Sequence, residues 1–459
     1  MTAVVVLVGR PNVGKSTLFN RLTGRRDALV ADRPGLTRDR IYGEARHGGR
    51  RFLVVDTGGL EEAVDELAGQ VQAQTRQAVA EADRVLFLVD ARAGLTPADE
   101  AIAADLRRRG VPVLLVANKA EGLDPELATA EFHRLGLGAP VPVSAAHGQG
   151  MARLLDALVA DLPPEPEAAA GAGAAPKVAV LGRPNAGKST LVNALLGEQR
   201  VLVADQPGTT RDSIYVDLER DGRRYVLIDT AGVRRRARVQ DAVEKFSVVR
   251  ALKALEDADV ILFVLDAQRG VSAQDATLAG LILEAGRALV LVVNKWDRLP
   301  ADQRARVQAE IRRRLPFLPE VTPHFVSALH GSGVGALFSA VDAAYRAATA
   351  EFPTARLNRI LEQAVRAVPP PMVRGRPVKL KFVHQAGRNP PRLRIFGTRV
   401  EGLPAGYRRY LANRFRRALG LAGTPLVVEF SPQENPYIQK GKGRRRAAAG
   451  GPRPRRGRA

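Results

Sequence analysis

Short uninterrupted aliphatic runs recur along the first three quarters of the chain. Ala3–Val8, 52–55, 85–89 and 113–116 are each nearly pure Val, Leu, Phe and Ala, and longer mixed segments separate them. A strand with one solvated face alternates apolar and polar positions, whereas a strand buried on both faces reads as a continuous apolar run. The pattern therefore predicts an α/β fold, a mostly parallel sheet covered by helices on both sides. Ala3–Val8 is too short for the core of a signal peptide and runs directly into a glycine-rich segment. No apolar run approaches the length needed to cross a bilayer, so no membrane span is expected.

The pattern occurs twice. GRPNVGKSTLFNRL begins at Gly9 and GRPNAGKSTLVNAL at Gly182, an offset of 173 that also carries PGLTRD onto PGTTRD and Asp56 onto Asp229. Later landmarks drift, Asn118 to Asn294 by 176 and Ser144 to Ser327 by 183. Constant early spacing with small later insertions is what two copies of one fold with variable surface loops would give. The reading places one domain at 1–162 and another at 177–350. Between them, 163–176 (PPEPEAAAGAGAAP) offers no periodic apolar face and reads as a flexible linker.

Beyond residue 350 the texture changes. Residues 357–368 read as a helix, 378–383 and 393–396 as strands, 407–419 as a helix and 426–430 as a final strand. That α-β-β-α-β order describes a small α+β domain over 351–438. Residues 439–459 are basic, with little to bury, and are expected to be disordered alone.

Charge sharpens this division. The net charge is +22, yet residues 352–459 hold 25 Lys and Arg against 4 Asp and Glu, while residues 1–351 hold 45 against 44. A localised field of that sign suits a polyanion, nucleic acid first, although a solubility tail would look similar. The absence of cysteine excludes disulfides and thiolate metal sites and suits a reducing, cytoplasmic setting. The six histidines show no metal-ligand spacing.

The repeated loops carry the chemistry. Gly9, Arg10, Pro11, Asn12, Val13, Gly14, Lys15 and Ser16 form a complete G-x-x-x-x-G-K-S, as do Gly182, Arg183, Pro184, Asn185, Ala186, Gly187, Lys188 and Ser189. In such a loop backbone N–H groups turn toward phosphates at a helix N-terminus, the lysine reaches the β- and γ-phosphates, and the serine ligates Mg²⁺. Asp56, Thr57, Gly58 and Gly59, like Asp229, Thr230, Ala231 and Gly232, end strands where ligands collect in open α/β sheets. The aspartates would hold Mg²⁺ through water, and Gly59 and Gly232 would meet the γ-phosphate. Thr37 and Thr210 lie in loops where a hydroxyl would complete the Mg²⁺ shell, though plain turn chemistry also places threonine there. Asn118, Lys119, Ala120 and Glu121, and Asn294, Lys295, Trp296 and Asp297, each end an aliphatic run. A carboxylate at the fourth position accepts two hydrogen bonds from the guanine edge, a donor pair adenine lacks, so GTP and GDP are the expected nucleotides. Glu121 has one methylene more than Asp297, which alters its reach.

Together these segments resemble the bacterial double-GTPase family called Der or EngA. The resemblance covers residues 1 to about 438 apart from the linker. It rests on both GRPNxGKST loops, both TRD segments, DTGG and DTAGVRRR, NKAE and NKWD, SAAHG and SALHG, and ENPY. It implies a KH-like third domain, a role in maturation of the large ribosomal subunit, and association with ribosomal RNA. It also adds Ser144, Ala145, Ser327 and Ala328 to the guanine pocket and Leu60 and Val233 to the nucleotide contacts. A monomer is expected. The single GxxG of the third domain, Gly420 to Gly423, precedes a predicted strand instead of joining two helices, so the usual clamp on single-stranded RNA is absent.

Many small GTPases orient the attacking water with a glutamine just after D-x-x-G. Leu60 and Val233 stand there instead, so slow, assisted hydrolysis is expected. Similar GTPases with an asparagine at the Asn12 or Asn185 position use potassium in place of an arginine finger, and the resemblance implies the same; the alternative is that each asparagine only shapes its own turn. Arg234, Arg235, Arg236 and Arg238 are a further basic cluster near the second site. Conventional turnover and a nucleotide-gated binding switch share all these motifs.

Overall fold

The computed structural model describes residues 2–24, 42–57, 68–162, 175–197, 215–228, 248–316, 318 and 321–432. It divides into two compact units, one of residues 1–349 with 421–425 and one of 350–420 with 426–459.

In the first unit the chain builds the same sheet twice. The first copy runs β1 (Ala3–Val8), α1 (Lys15–Thr23), β2 (Tyr42–His47), β3 (Arg50–Asp56), α2 (Ala68–Glu81), β4 (Arg84–Asp90), α3 (Pro97–Arg109), β5 (Val113–Asn118), α4 (Pro125–Ala130), β6 (Val141–Pro142) and α5 (Met151–Ala160). The second runs β7 (Lys177–Leu181), α6 (Lys188–Gly197), β8 (Val216–Arg220), β9 (Arg223–Ile228), α7 (Val248–Asp257), β10 (Val260–Asp266), α8 (Ala273–Glu284), β11 (Ala288–Asn294), α9 (Ala301–Arg314), β12 (His324–Phe325) and α10 (Ala336–Thr349). The strand orders are β2-β3-β1-β4-β5-β6 and β8-β9-β7-β10-β11-β12, the same topology.

The central strands pair in parallel, and the apolar runs of the sequence are those strands. The sheets are mostly parallel, as expected, and one edge of each is antiparallel: β2 to β3, and β8 to β9. The cause is a two-residue hairpin turn with positive φ at both central positions, Gly48 and Gly49 in one copy and Asp221 and Gly222 in the other. Such turns match the twist of the flanking strands. Val4, Val6 and Val8 pack to one side of β1, and Ala3, Val5 and Leu7 to the other.

The two copies share a core. The cluster on one side of β1 continues through Ala78 and Val79 of α2 into Val249, Leu252 and Leu255 of α7 and on to the second sheet. Polar contacts close the junction: Arg250 meets Glu81 at 3.0 Å, Lys253 meets Asp83 at 3.1 Å, and the Tyr42 hydroxyl donates to the Leu281 carbonyl at 3.3 Å. Asp83 also accepts the Val4 N–H at 2.7 Å, which ties the junction to the strand that feeds the first glycine loop.

The second unit has the α-β-β-α-β order expected, as α11 (Thr354–Ala367), β13 (Lys379–Gly387), β14 (Arg392–Thr398), α12 (Ala405–Leu419) and β15 (Val427–Pro432). β14 is antiparallel to β13 and parallel to β15. Leu357, Ile360, Leu361 and Ala364 of α11 and Tyr407, Leu411, Phe415 and Leu419 of α12 are buried, at the spacing of one helical stripe. Gly420 takes the left-handed conformation that ends α12, so the GxxG leads from a helix toward a strand, as read from the sequence.

Candidate nucleotide-binding sites

Each glycine loop lies between the first strand of a copy and the helix that follows it. Gly14 and Gly187 have φ of 95° and 88°, and a Cβ on either would come within 2.4 or 2.2 Å of the amide nitrogen of Asn118 or Asn294. Glycine is therefore required twice over, by backbone conformation and by close approach.

Lys15 is buried and donates to the carbonyls of Gly9 at 2.8 Å and Arg10 at 3.3 Å. Lys188 donates to the Arg183 carbonyl at 2.9 Å. Both ammonium groups are thus folded back over their own loops, where a phosphate chain would sit. The Ser16 hydroxyl lies 2.7 Å from an Asp56 carboxylate oxygen. Two hard oxygen donors converging beside a phosphate loop fit Mg²⁺, a cation held by one or two protein oxygens plus substrate phosphates. Among the described residues no group of three or more His, Cys, Asp or Glu forms a metal cage.

Asn118 ties the site together. Its amide donates to the Val13 carbonyl at 2.8 Å, and its side-chain oxygen accepts the Ala145 N–H at 3.0 Å. Asn294 does the same with Ala186 and Ala328, both at 3.0 Å. Lys119 and Lys295 have positive φ and reach across to the carbonyls of Asn12 and Asn185, each at 2.8 Å. Asn12 and Asn185 are exposed and have φ of 66° and 64°.

Sequence reading missed the aspartates that anchor these lysines. Asp90 and Asp266, the last residues of β4 and β10, accept from Lys119 at 2.7 Å and Lys295 at 2.6 Å. Burial opposes ionisation of Asp90, but Lys119 and the Arg92 and Ala93 amides outweigh it and hold the carboxyl below its usual range. Sequence reading also missed Asp99 and Asp275, fully buried N3 members of the capping boxes that start α3 and α8, which lie 3.4 Å from Arg10 and 3.6 Å from Arg183. Both pairs are separated by 176, the offset of Asn118 and Asn294, so extending the repeat comparison to isolated acids would have found them.

The carboxylates of the guanine motifs stand at the loop mouths. The Ser144 hydroxyl lies beside Glu121 and keeps it more acidic than usual, with Arg92 3.1 Å away. One Glu121 oxygen, Oε2, is enclosed without a hydrogen-bond partner among the described residues, a position that suits an N–H donor. Asp297 is likewise held acidic by Ser327. The Trp296 ring packs 4.1 Å from Phe325, with the Arg304 guanidinium over it.

Thr37, Gly58, Gly59, Leu60, Thr210, Asp229, Thr230, Ala231, Gly232 and Val233 lie outside the described residues, as do 163–174 and 439–459.

The family described as 50S ribosome-binding GTPase matches residues 4–119 and again 177–295, and the KH-domain-like C-terminal domain of EngA bacterial GTPase enzymes matches 351–431. A protein named GTPase Der from Halorhodospira halophila is 57% identical over 443 residues, covering 96% of this chain and 94% of its own. Another of that name, from Thioalkalivibrio sulfidiphilus, is 55% identical over 442 residues, covering 96% and 95%.

Proposed function

The chain belongs to the EngA, or Der, family of bacterial tandem GTPases, and we propose that it hydrolyses GTP at two separate sites whose nucleotide state gates attachment to the large ribosomal subunit. The observation that carries the reading is the duplicated asparagine bridge. Asn118 and Asn294 each bridge their glycine loop to the Ala145 or Ala328 loop in the same way, which supports reading each copy as a separate nucleotide site.

In the first site Lys15 and the loop amides would bind the β- and γ-phosphates, Ser16 with Asp56 and Thr37 would hold Mg²⁺, and Gly59 would meet the γ-phosphate. Lys188, Ser189, Asp229, Thr210 and Gly232 take the same roles in the second. Mg²⁺ supplies charge neutralisation across the bridging oxygens when bound. Glu121 and Asp297 read the guanine edge, Ser144 and Ser327 brace them, and the Ala145 and Ala328 loops line the base. Neither Leu60 nor Val233 has a side chain able to orient water, so hydrolysis needs assistance; Asn12 and Asn185 would hold a potassium ion, which would supply positive charge in place of an arginine finger. Exposure of both asparagines beside the phosphate loop supports that role.

The reading places the protein in the cytoplasm as a monomer, in contact with ribosomal RNA through its basic C-terminal quarter. Co-sedimentation with purified large subunits tests the gate. A non-hydrolysable GTP analogue should give tighter binding than GDP, and equal affinity in both states would overturn the switch. Exchange of potassium for sodium at constant ionic strength should slow hydrolysis, and equal rates would remove the cation from the scheme.

A further inference from the structure

We propose that the open face of the β13–β14–β15 sheet is a stacking platform for unpaired RNA bases, built on Phe382, Phe396 and His384. This deepens the reading above by naming where, and in what form, RNA meets the third domain. It rests on the assignment of RNA as the partner.

One face of this sheet is closed. Val383, Leu393 and Ile395 are fully buried. Successive residues of a strand point to opposite faces, so Phe382 and His384 on β13 and Phe396 on β14 lie on the other face. Phe382 pairs with Phe396 across the strands, and His384 with Arg394. The rings of Phe382 and Phe396 are 4.5 Å apart and 8° from parallel, and that of His384 is 5.3 Å from Phe396 at 24°. Phe382 is 39% exposed, one of few large apolar side chains left so open among the described residues.

A cross-strand aromatic pair stabilises a sheet by itself. Three near-parallel rings on the solvent face do more, because they leave an aromatic plane onto which another flat ring can stack. The surroundings choose which flat ring. The register shifts between Leu380 and Phe382, so Lys379, opposite Thr398, lies on the Phe396 face and Lys381 stands at the irregularity; both are exposed, and neither has an acidic partner among the described residues. Residues 352–432 hold 16 Lys and Arg against 3 Asp and Glu. Aromatic planes set in a positive surface bind single-stranded nucleic acid, bases on the rings and phosphates on the lysines. A duplex hides its bases and offers nothing to stack, so the platform is selective for loops and ends. It also supplies what the displaced GxxG does not, a place for splayed bases without a helix-to-helix clamp.

The test uses the full-length protein with GTP and Mg²⁺, and fluorescent RNA of about 12 nucleotides as a single strand, a duplex, and a strand with abasic positions at its centre. The native chain should prefer the single strand to both others. Phe382→Leu keeps apolar area but removes the aromatic plane. It should weaken single-strand binding about tenfold, leave abasic binding unchanged, and preserve the thermal midpoint and GTP hydrolysis. Lys381→Gln should weaken all three RNAs and flatten the salt dependence. The inference fails if Phe382→Leu binds the single strand as the native chain does, or if the native chain binds intact and abasic strands equally. Unchanged RNA binding by Phe382→Leu with weaker attachment to RNA-stripped subunit protein would assign the face to a protein and equally overturn it. Oligonucleotide binding is read separately from nucleotide gating, so loss of the gate with stacking retained would count only against the switch.

Discussion

At the residue scale, Asn118 and Asn294 use both ends of a buried amide on backbone groups of two different loops. Removing such a side chain leaves a carbonyl and an N–H without partners. Asn118→Ala should therefore lower the unfolding free energy by roughly 2–6 kcal/mol, at about 1–3 kcal/mol for each orphaned group, measured by urea denaturation. The same variant should lose GTP at the first site while the second still binds. Lys15→Ala and Lys188→Ala act on phosphate instead of on the loop framework. Titration with labelled GTP should give a stoichiometry near two for the native chain and near one for either variant. A native stoichiometry of one would show that only one loop is a site. Asn and Lys of both guanine motifs were legible because their types and spacing are distinctive. Asp90 was not, since a lone acid at a strand end has no local signature; Asp99 stands in a Thr-x-x-Asp capping box legible as a helix start, but its pairing with Arg10 comes only from the fold.

Elements form the contact between the copies. α2 and α7 each follow a D-x-x-G motif in the chain, and they pack together through Ala78, Val79, Val249 and Leu252 with the Lys253 to Asp83 pair at the edge. That pair is partly exposed, and screening limits its worth. Lys253→Ala should cost about 1 kcal/mol, seen as a lower urea midpoint at unchanged slope. Glu256 of α7 gives a pH signature. Burial raises its pKa above the ordinary 4.5, against the pull of Arg287. A carboxyl raised in the folded state favours folding while protonated, below the unfolded value. That contribution is lost as pH rises through the folded value. Glu256→Gln should therefore raise the melting temperature at pH 8, and the gain should vanish below pH 4.5. A gain that is the same at both pH values would show that the effect is packing and not charge. The central strands were visible as apolar runs because both faces are covered. The antiparallel edges were missed although Gly48-Gly49 and Asp221-Gly222 are strong hairpin signals, because the flanking residues are too polar to read as strands.

At the scale of the whole molecule, the net charge is concentrated beyond residue 351 while both glycine loops lie before it. Deleting 439–459, which holds 9 Lys and Arg and no acidic residue, should weaken RNA binding and reduce the slope of log affinity against log salt, because fewer counterions are released. Deletion from residue 352 should abolish binding, with two GTP sites retained. A deletion that leaves the salt slope unchanged would place the phosphate contacts elsewhere.

Composition and spacing alone determined that this chain is a duplicated nucleotide-binding fold with a basic third domain, because phosphate loops, guanine motifs and buried parallel strands impose residue types at short range. Only the tertiary structure decided that the two copies share one apolar core across α2 and α7, that Asp90 and Asp266 hold the guanine-motif lysines, and that Phe382, Phe396 and His384 stand together on an open sheet face. Each of these joins residues distant in the chain or on different strands, and strand register and helix packing, not local pattern, bring them into contact.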